Sequence, residues 1–158
     1  MTMDKTLLQQ KVCEHLEADL AMAVRAAQTA HEAATHEENI AENKYDTLGL
    51  EASYLAAGQA RRVEEIRQAL HAWRTLQMRE FDEEQGIQLG ALVLLQTADG
   101  RRQCLLLGPD GAGLKLPSTW GEVMLITPRA PLGQQLLGLG AGDEVSSGPQ
   151  RWQIMQVV

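Results

Sequence analysis

Carboxylates cluster near the middle of this 158-residue chain, among them Glu38, Glu42, Asp46 and Glu51. Carboxylate oxygens suit hard divalent cations. Mg²⁺ is commonly held by one or two of them and keeps its other positions for water and phosphate oxygens. A cation so placed activates water or steadies the developing oxyanion when a phosphodiester is cut. Spacing decides whether these acids can share an ion. Glu38, Glu42 and Asp46 are four apart in succession and line one face if that stretch is helical. Asp46 and Glu51 are five apart, which separates them on a helix but lets them converge across a loop. The same residues can equally form a solvated acidic turn that matches a basic partner by charge alone.

Two periodic stretches must position this cluster. Cys13, Leu16, Leu20, Ala23, Ala27, Ala30 and Ala34 recur at three- and four-residue steps, as do Ala52, Ala56, Gln59, Val63, Ile66, Leu70 and Trp73. Apolar residues at that spacing form the seam of a coiled coil. Paired antiparallel, the two series match layer by layer: 13 with 73, 20 with 66, 34 with 52. The turn then falls near Asn43, inside the acidic cluster. The spacing predicts a first helix from about Asp4, its N-cap, to Thr35, and a second from Glu51 to Glu80. At 1.5 Å per residue each is roughly 45 Å long. The linker 36–50 holds Asn39, Asn43, Asp46 and Gly49, all turn-friendly, and part of it can be helical. Gly58 weakens the second helix by about 1 kcal/mol against Ala, or lets the partner helix come close. The seam narrows from Leu, Ile and Trp at one end to Ala at the other. Its thin, Ala-rich end and the linker 37–50 are expected to be partly mobile, because they bury little apolar area.

Other groups with chemical potential read as ordinary structure. His31 and His36 are five apart, about 140° around a helix, so they do not form the four-residue pair of a helical zinc site. Residues 108–113 are Gly-rich but lack the following Lys-Ser/Thr and helix of a phosphate loop. Tyr45 and Tyr54 are read as packing about the turn, Trp73 as core, and Arg61 and Arg62 as an exposed face. Trp120 is divided between docking and packing. Cys13 and Cys104 are far apart and belong to no CxxC pair, which fits small buried hydrophobes in a reducing compartment.

The formal net charge is −7, and it is uneven. Residues 1–84 hold 16 Asp and Glu against 9 Lys and Arg, whereas residues 85–158 hold five of each. An acidic helical half repels phosphate backbones, so direct nucleic-acid binding is not its main activity. A basic protein groove or a divalent cation fits better. Aromatic residues are only 4% of the chain, which suits Ala- and Leu-rich helices. No apolar run reaches membrane-spanning length and no leader pattern opens the chain, so a cytoplasmic protein is expected.

The character of the chain changes at Gln85-Gly86. Short strands are predicted at 91–96 and 103–107, joined by the turn Ala98-Asp99-Gly100, and at 122–126. A short helix follows at 130–137, ending at Gly138, and strands about Val145 and over 152–157 close the module. The fold class is therefore α+β, with an antiparallel coiled-coil hairpin over 1–84, its acidic tip near 37–51, and a small domain over 85–158.

Within that domain come Thr127-Pro128, Pro131-Leu132-Gly133, Leu136-Leu137-Gly138 and Gly142-Asp143-Glu144-Val145. This series resembles the signature of bacterial Gre-type (GreA/GreB-type) transcription elongation and transcript-cleavage factors. In those, a Ser-Pro pair leads to an Ala-Leu-Leu-Gly-like helix end and a Gly-Asp-x-Val strand start. Thr127 stands where Ser is usual and Leu139 where Lys is common. The resemblance spans nearly the whole chain, since that family places such a coiled coil first. It implies an FKBP-like fold for 85–158, with Pro128, Pro131, Leu132, Gly133, Gly142 and Asp143 at the docking surface. It implies bacterial RNA polymerase as the partner, entry of the coiled-coil tip into the secondary channel, and indirect contact with the nascent RNA. It further implies a monomer that is not itself an enzyme and has no cofactor of its own, but shares Mg²⁺ with the polymerase active site. Prolyl isomerase activity is not expected, because Trp120 and Trp152 are the only aromatics of 85–158.

At the tip this chain departs from the family. The family's Asp-Leu-x-Glu-Asn-Ala-Glu-Tyr motif aligns with 47–54, where Leu48, Ala52 and Tyr54 match. Thr47 takes the Asp position and Leu50 the Glu position. The nearest acids, Asp46 and Glu51, lie one residue outside each. On the resemblance they are the candidate catalytic acids, and Glu38, Glu42 and Asp46 the candidate metal ligands. Two outcomes stay open: a cleavage-stimulating tip built differently, or a factor that occupies the channel, competes with cleavage factors and does not cut. An unrelated coiled-coil adaptor is the rival from another class.

Overall fold

The computed structural model describes residues 5–40 and 48–158, with the side chains of 37–40 and 48 outside the described set. The chain divides into two compact units. One takes in Met1–Cys13 with Ala72–Val158, and the other is Glu14–His71. The class is α+β: two long helices come first and a mixed six-stranded sheet follows.

The helices are α1, Lys5–Ile40, and α2, Leu48–Thr75. In the Glu14–His71 unit they pack through the seam that the heptads mark. Ala23, Val63 and Ile66 form a buried cluster, with Leu20 and Ala27 against it. Leu16, Ala30, Ala34 and Leu70 are buried as well. Ala52, Ala56 and Gln59 are only half-buried. Each Ala layer removes far less apolar surface from water than Val63 or Ile66, whose full burial is worth roughly 1.5–3 kcal/mol apiece. The stability of the pair is therefore concentrated toward residues 16–23 and 63–70. Of the two readings of Gly58, only the weak spot remains. A Cβ built on it meets nothing within 4 Å, so it does not serve a close helix–helix approach.

The helix boundaries differ from the reading in three places. α1 runs five residues past Thr35, so position 38 is helical. α2 begins at Leu48, which puts Glu51 inside its first turn. It ends at Thr75 instead of Glu80, and the cause lies within the Met1–Cys13/Ala72–Val158 unit. The Gln9 side-chain amide donates to the carbonyls of Trp73 and Leu76, both at 2.8 Å. Lys5 Nζ donates to the Arg79 carbonyl at 2.6 Å. Side chains from the start of α1 thus satisfy carbonyls that a continuing helix would have used.

The sheet has strands β1 (Leu92–Gln96), β2 (Arg102–Leu107), β3 (Lys115–Ser118), β4 (Gly121–Ile126), β5 (Glu144–Ser147) and β6 (Gln150–Val157), with helix α3 (Pro131–Leu136) between β4 and β5. Their order is β3-β4-β2-β1-β6-β5, antiparallel except for the β2/β4 pair. Strand β3 is not among the strands predicted from the sequence. Pro117 within it removes one ladder donor, which an edge strand tolerates. The core gathers Val93, Leu95, Leu105, Leu107, Ile126 and Ile154 from the sheet with Leu136 of α3, and Trp152 packs against it. Trp73 is fully buried. Its ring lies so close to Gly108 that a Cβ there would sit 2.2 Å from Cζ2.

Candidate functional site

The acid-rich end of the helical pair is the first candidate. Glu51 is exposed, in the first turn of α2, where a carboxylate complements the positive end of the helix dipole. Glu42 and Asp46 lie outside the described residues. Glu38 belongs to α1 by its backbone, and its side chain lies outside them too. Among the described residues no group of three His, Cys, Asp or Glu side chains is assembled for a metal ion. His31 and His36 are both exposed.

Beside Glu51 the helix shows apolar side chains to solvent: Leu50 is 54% exposed, Tyr54 70% and Leu55 58%. Tyr54 therefore does not pack, against the expectation. The signal for this was present in the sequence, since all three fall off the seam rows 52, 56, 59 and 63. Leu50 stands where the resembled motif carries its second acid, so an exposed aliphatic group replaces a carboxylate there. Arg61 and Arg62 are exposed, as expected.

The second candidate is the run 127–143 of the sheet-bearing unit. Each of its motif residues has a definable place. Thr127 is buried, and its carbonyl accepts the Ala130 N–H at 3.1 Å, closing the turn through Pro128. Pro131 occupies the first turn of α3, where its missing N–H costs nothing. Gly133 is buried directly over that turn, and a Cβ on it would lie 2.1 Å from the Thr127 oxygen. Leu132 packs on the core. Gly138 ends the helix at φ 81° and donates its N–H to the Ile87 carbonyl at 2.9 Å. Gly142, at φ 95°, donates to Ile154 at 2.7 Å, and the Asp143 carboxylate accepts the Gly140 N–H at 2.8 Å. Pro131, Gly142 and Asp143 are exposed, Pro128 and Leu132 half-buried and Gly133 buried. The spacing of the motif is thus what this loop–helix–loop needs to close on itself.

A residue outside the motif completes this region. The Gln135 amide donates to the Ser146 carbonyl at 2.8 Å and accepts the Ser146 N–H at 3.0 Å. One side chain thereby takes both outward backbone groups of a residue on edge strand β5 and closes that edge to further pairing.

No family model and no curated protein matches the chain. Solved structures do. The chain is similar to GreA factor homolog 1 (Gfh1) of Thermus thermophilus at 20% identity, over 92% of this chain and 94% of that one, with a TM-score of 0.39. It is similar to Gfh1 of Thermus aquaticus at 23% identity, over 91% and 92%, with a TM-score of 0.38. A further structure, described as the transcription factor Gfh1, gives 20% and 0.39 over 92% of both chains. At these scores the likeness adds no weight to the reading of the sites.

Proposed function

We propose that this protein is a Gre-like transcription elongation factor. It binds bacterial RNA polymerase, places the acid-rich end of its helical pair in the secondary channel and so regulates elongation. The supporting observation is the antiparallel seam together with the exposed Glu51 in the first turn of α2. Two helices packed through an Ala-rich seam carry Glu51 exposed in the first turn of α2. The run 127–143 supports the reading a second time, because the motif residues there form one closed structural unit whose exposed members, Pro131, Gly142 and Asp143, are available to a partner.

In this reading the protein brings no chemistry of its own. Carboxylates from Glu38, Glu42, Asp46 and Glu51 would complete the coordination of a Mg²⁺ that belongs to the polymerase, and that ion would activate the water that cuts backtracked RNA. A second mode uses the same seat without cutting: occupancy that excludes genuine cleavage factors. Leu50 favours it, because an exposed aliphatic side chain fills the place of an acid and supplies no oxygen to a metal.

A stalled, backtracked elongation complex with Mg²⁺ separates the modes. Release of short 3′ fragments on adding this protein indicates cleavage. No release, but protection from an authentic cleavage factor, indicates occupancy. Neither effect together with no binding to polymerase rejects the proposal.

A further inference from the structure

We infer that the cleft beside Trp120, on the sheet-bearing unit, binds a small nucleotide: a planar base that carries a phosphate. The inference stands apart from the polymerase reading and takes up the tryptophan that the sequence left divided between docking and packing. The cleft has a volume of about 690 Å³, within the usual range for small-molecule sites. Leu94 and Cys104 supply an apolar part of its lining, and Arg102, Gln156 and Trp120 supply polar and aromatic groups.

Two independent features mark this cleft. The first is a fixed aromatic. Trp120 lies in the turn between β3 and β4, and Ser118 braces that turn. The Ser118 hydroxyl accepts the Trp120 N–H at 3.0 Å and donates to the Gly121 carbonyl at 2.8 Å. The indole is half-buried, and its ring N–H has no acceptor among the described residues, unlike that of Trp73. An aromatic residue on a braced turn loses little freedom when a ligand settles on it. An indole face stacks on any nucleobase, because every base has a π-face.

The second feature is an uncompensated charge, and it selects the ligand. Arg102 is exposed, and its side chain has one partner among the described residues, a neutral one: Nε donates to Gln96 Oε1 at 3.0 Å. Both terminal nitrogens are left for a ligand. The other charges of the lining, Lys115 and Glu122, pair with each other at 3.8 Å, so the cleft carries a net positive charge. Residues 85–158 hold five acids and five bases, so the acidity that repels phosphate from the helical half does not extend here. A guanidinium matches a phosphate through two parallel N–H donors. The Gln156 carboxamide also lacks a partner among the described residues. It offers a donor and an acceptor together, which the edge of a base uses and a simple aromatic acid does not.

The test titrates adenosine monophosphate into the full chain by calorimetry, without polymerase, and compares adenosine, inorganic phosphate and benzoate. The nucleotide should bind, and adenosine and phosphate should each bind about tenfold more weakly, since each makes only part of the contacts. Trp120→Ala and Arg102→Ala should each weaken nucleotide binding by about tenfold, whereas Trp120→Phe, which still stacks, should keep most of it. Thermal melts identify any variant that fails to fold; if Trp120→Ala does, Trp120→Phe and the exposed Arg102→Ala still decide. No binding at about 1 mM nucleotide, or unchanged affinity in both alanine variants, would overturn the site. Benzoate bound as tightly as the nucleotide would overturn the assignment of the ligand. A short single-stranded RNA bound far more tightly than the mononucleotide would make the occupant a strand and overturn the assignment to a small nucleotide.

Discussion

The indole N–H of Trp73 donates to the backbone carbonyl of Asp110 at 2.7 Å, and the ring fills the space that Gly108 leaves open. The last turn of α2 is thereby fixed to the loop after β2 by one hydrogen bond and one fully buried aromatic. Trp73→Phe keeps most of the ring and removes the donor, leaving the Asp110 carbonyl without it. Urea melts should show a loss of about 1–3 kcal/mol. Gly108→Ala should cost at least as much, because the new methyl meets a ring that has no room to yield.

Gly133 carries a second expectation. Gly133→Ala forces a Cβ onto the Thr127 carbonyl, a backbone atom that cannot swing away. The turn through Pro128 and the helix α3 must separate to admit it. A lowered melting temperature, by about 1–3 kcal/mol of stability, is expected together with faster amide exchange at Ala130 and Gln134. Unchanged exchange at those amides would show that α3 does not rest on Thr127 as described.

Gln135→Ala tests the edge of the sheet. It removes both bonds to Ser146, at a cost of about 1 kcal/mol. The Ser146 amide should exchange faster, and concentrated samples should associate more readily through the uncovered edge. Gln135→Glu is the informative control. Its carboxylate can still accept the Ser146 N–H but cannot donate to the carbonyl, so amide protection should survive while stability falls part of the way.

The two cysteines should differ in reactivity. Burial pushes the Cys104 thiol from its ordinary value of 9.0 up to about 12, whereas Cys13 is only half-buried. At pH 8 an alkylating reagent should modify Cys13 first and Cys104 only on unfolding, since the thiolate is the nucleophile. The sign of the stability effect follows. The unfolded thiol ionises from about pH 9 while the folded one keeps its proton, so the contribution of Cys104 to stability declines as pH rises from 9 toward 12. Cys104→Ala should remove that part of the alkaline decline.

The helical seam was legible because its heptads are local: Leu16, Ala23, Ala30, Val63, Ile66 and Leu70 were expected to be buried and are. Five strands and α3 were legible from short apolar runs set between glycine turns. The end of α2 was not. The charged run after Thr75 reads as helix, and what stops it is Gln9, distant in sequence, whose amide takes the carbonyls of Trp73 and Leu76. Strand β3 was missed because Pro117 and the flanking turns outweigh a four-residue edge pairing. For Gly58 two readings stood, a weak spot in the helix or a close approach to its partner, and the open space beside it leaves the first. Of the acidic cluster, Glu51 is inside the first turn of α2, which begins three residues earlier than the reading placed it. The joint placement of Glu38, Glu42 and Asp46 falls outside the described residues, as does Tyr45, so the expected mobility of 37–50 and a shared ion stay with the proposal.

The most direct test of the central claim is a cross-link from the end of α2. A photoreactive residue in place of Glu51, in the full chain bound to bacterial core RNA polymerase, reports which polymerase peptides lie beside it. The account expects cross-links to peptides lining the secondary channel near the active centre, lost when an authentic cleavage factor is added in excess. Cross-links confined to the outer surface of the polymerase, or no complex at all, would contradict it.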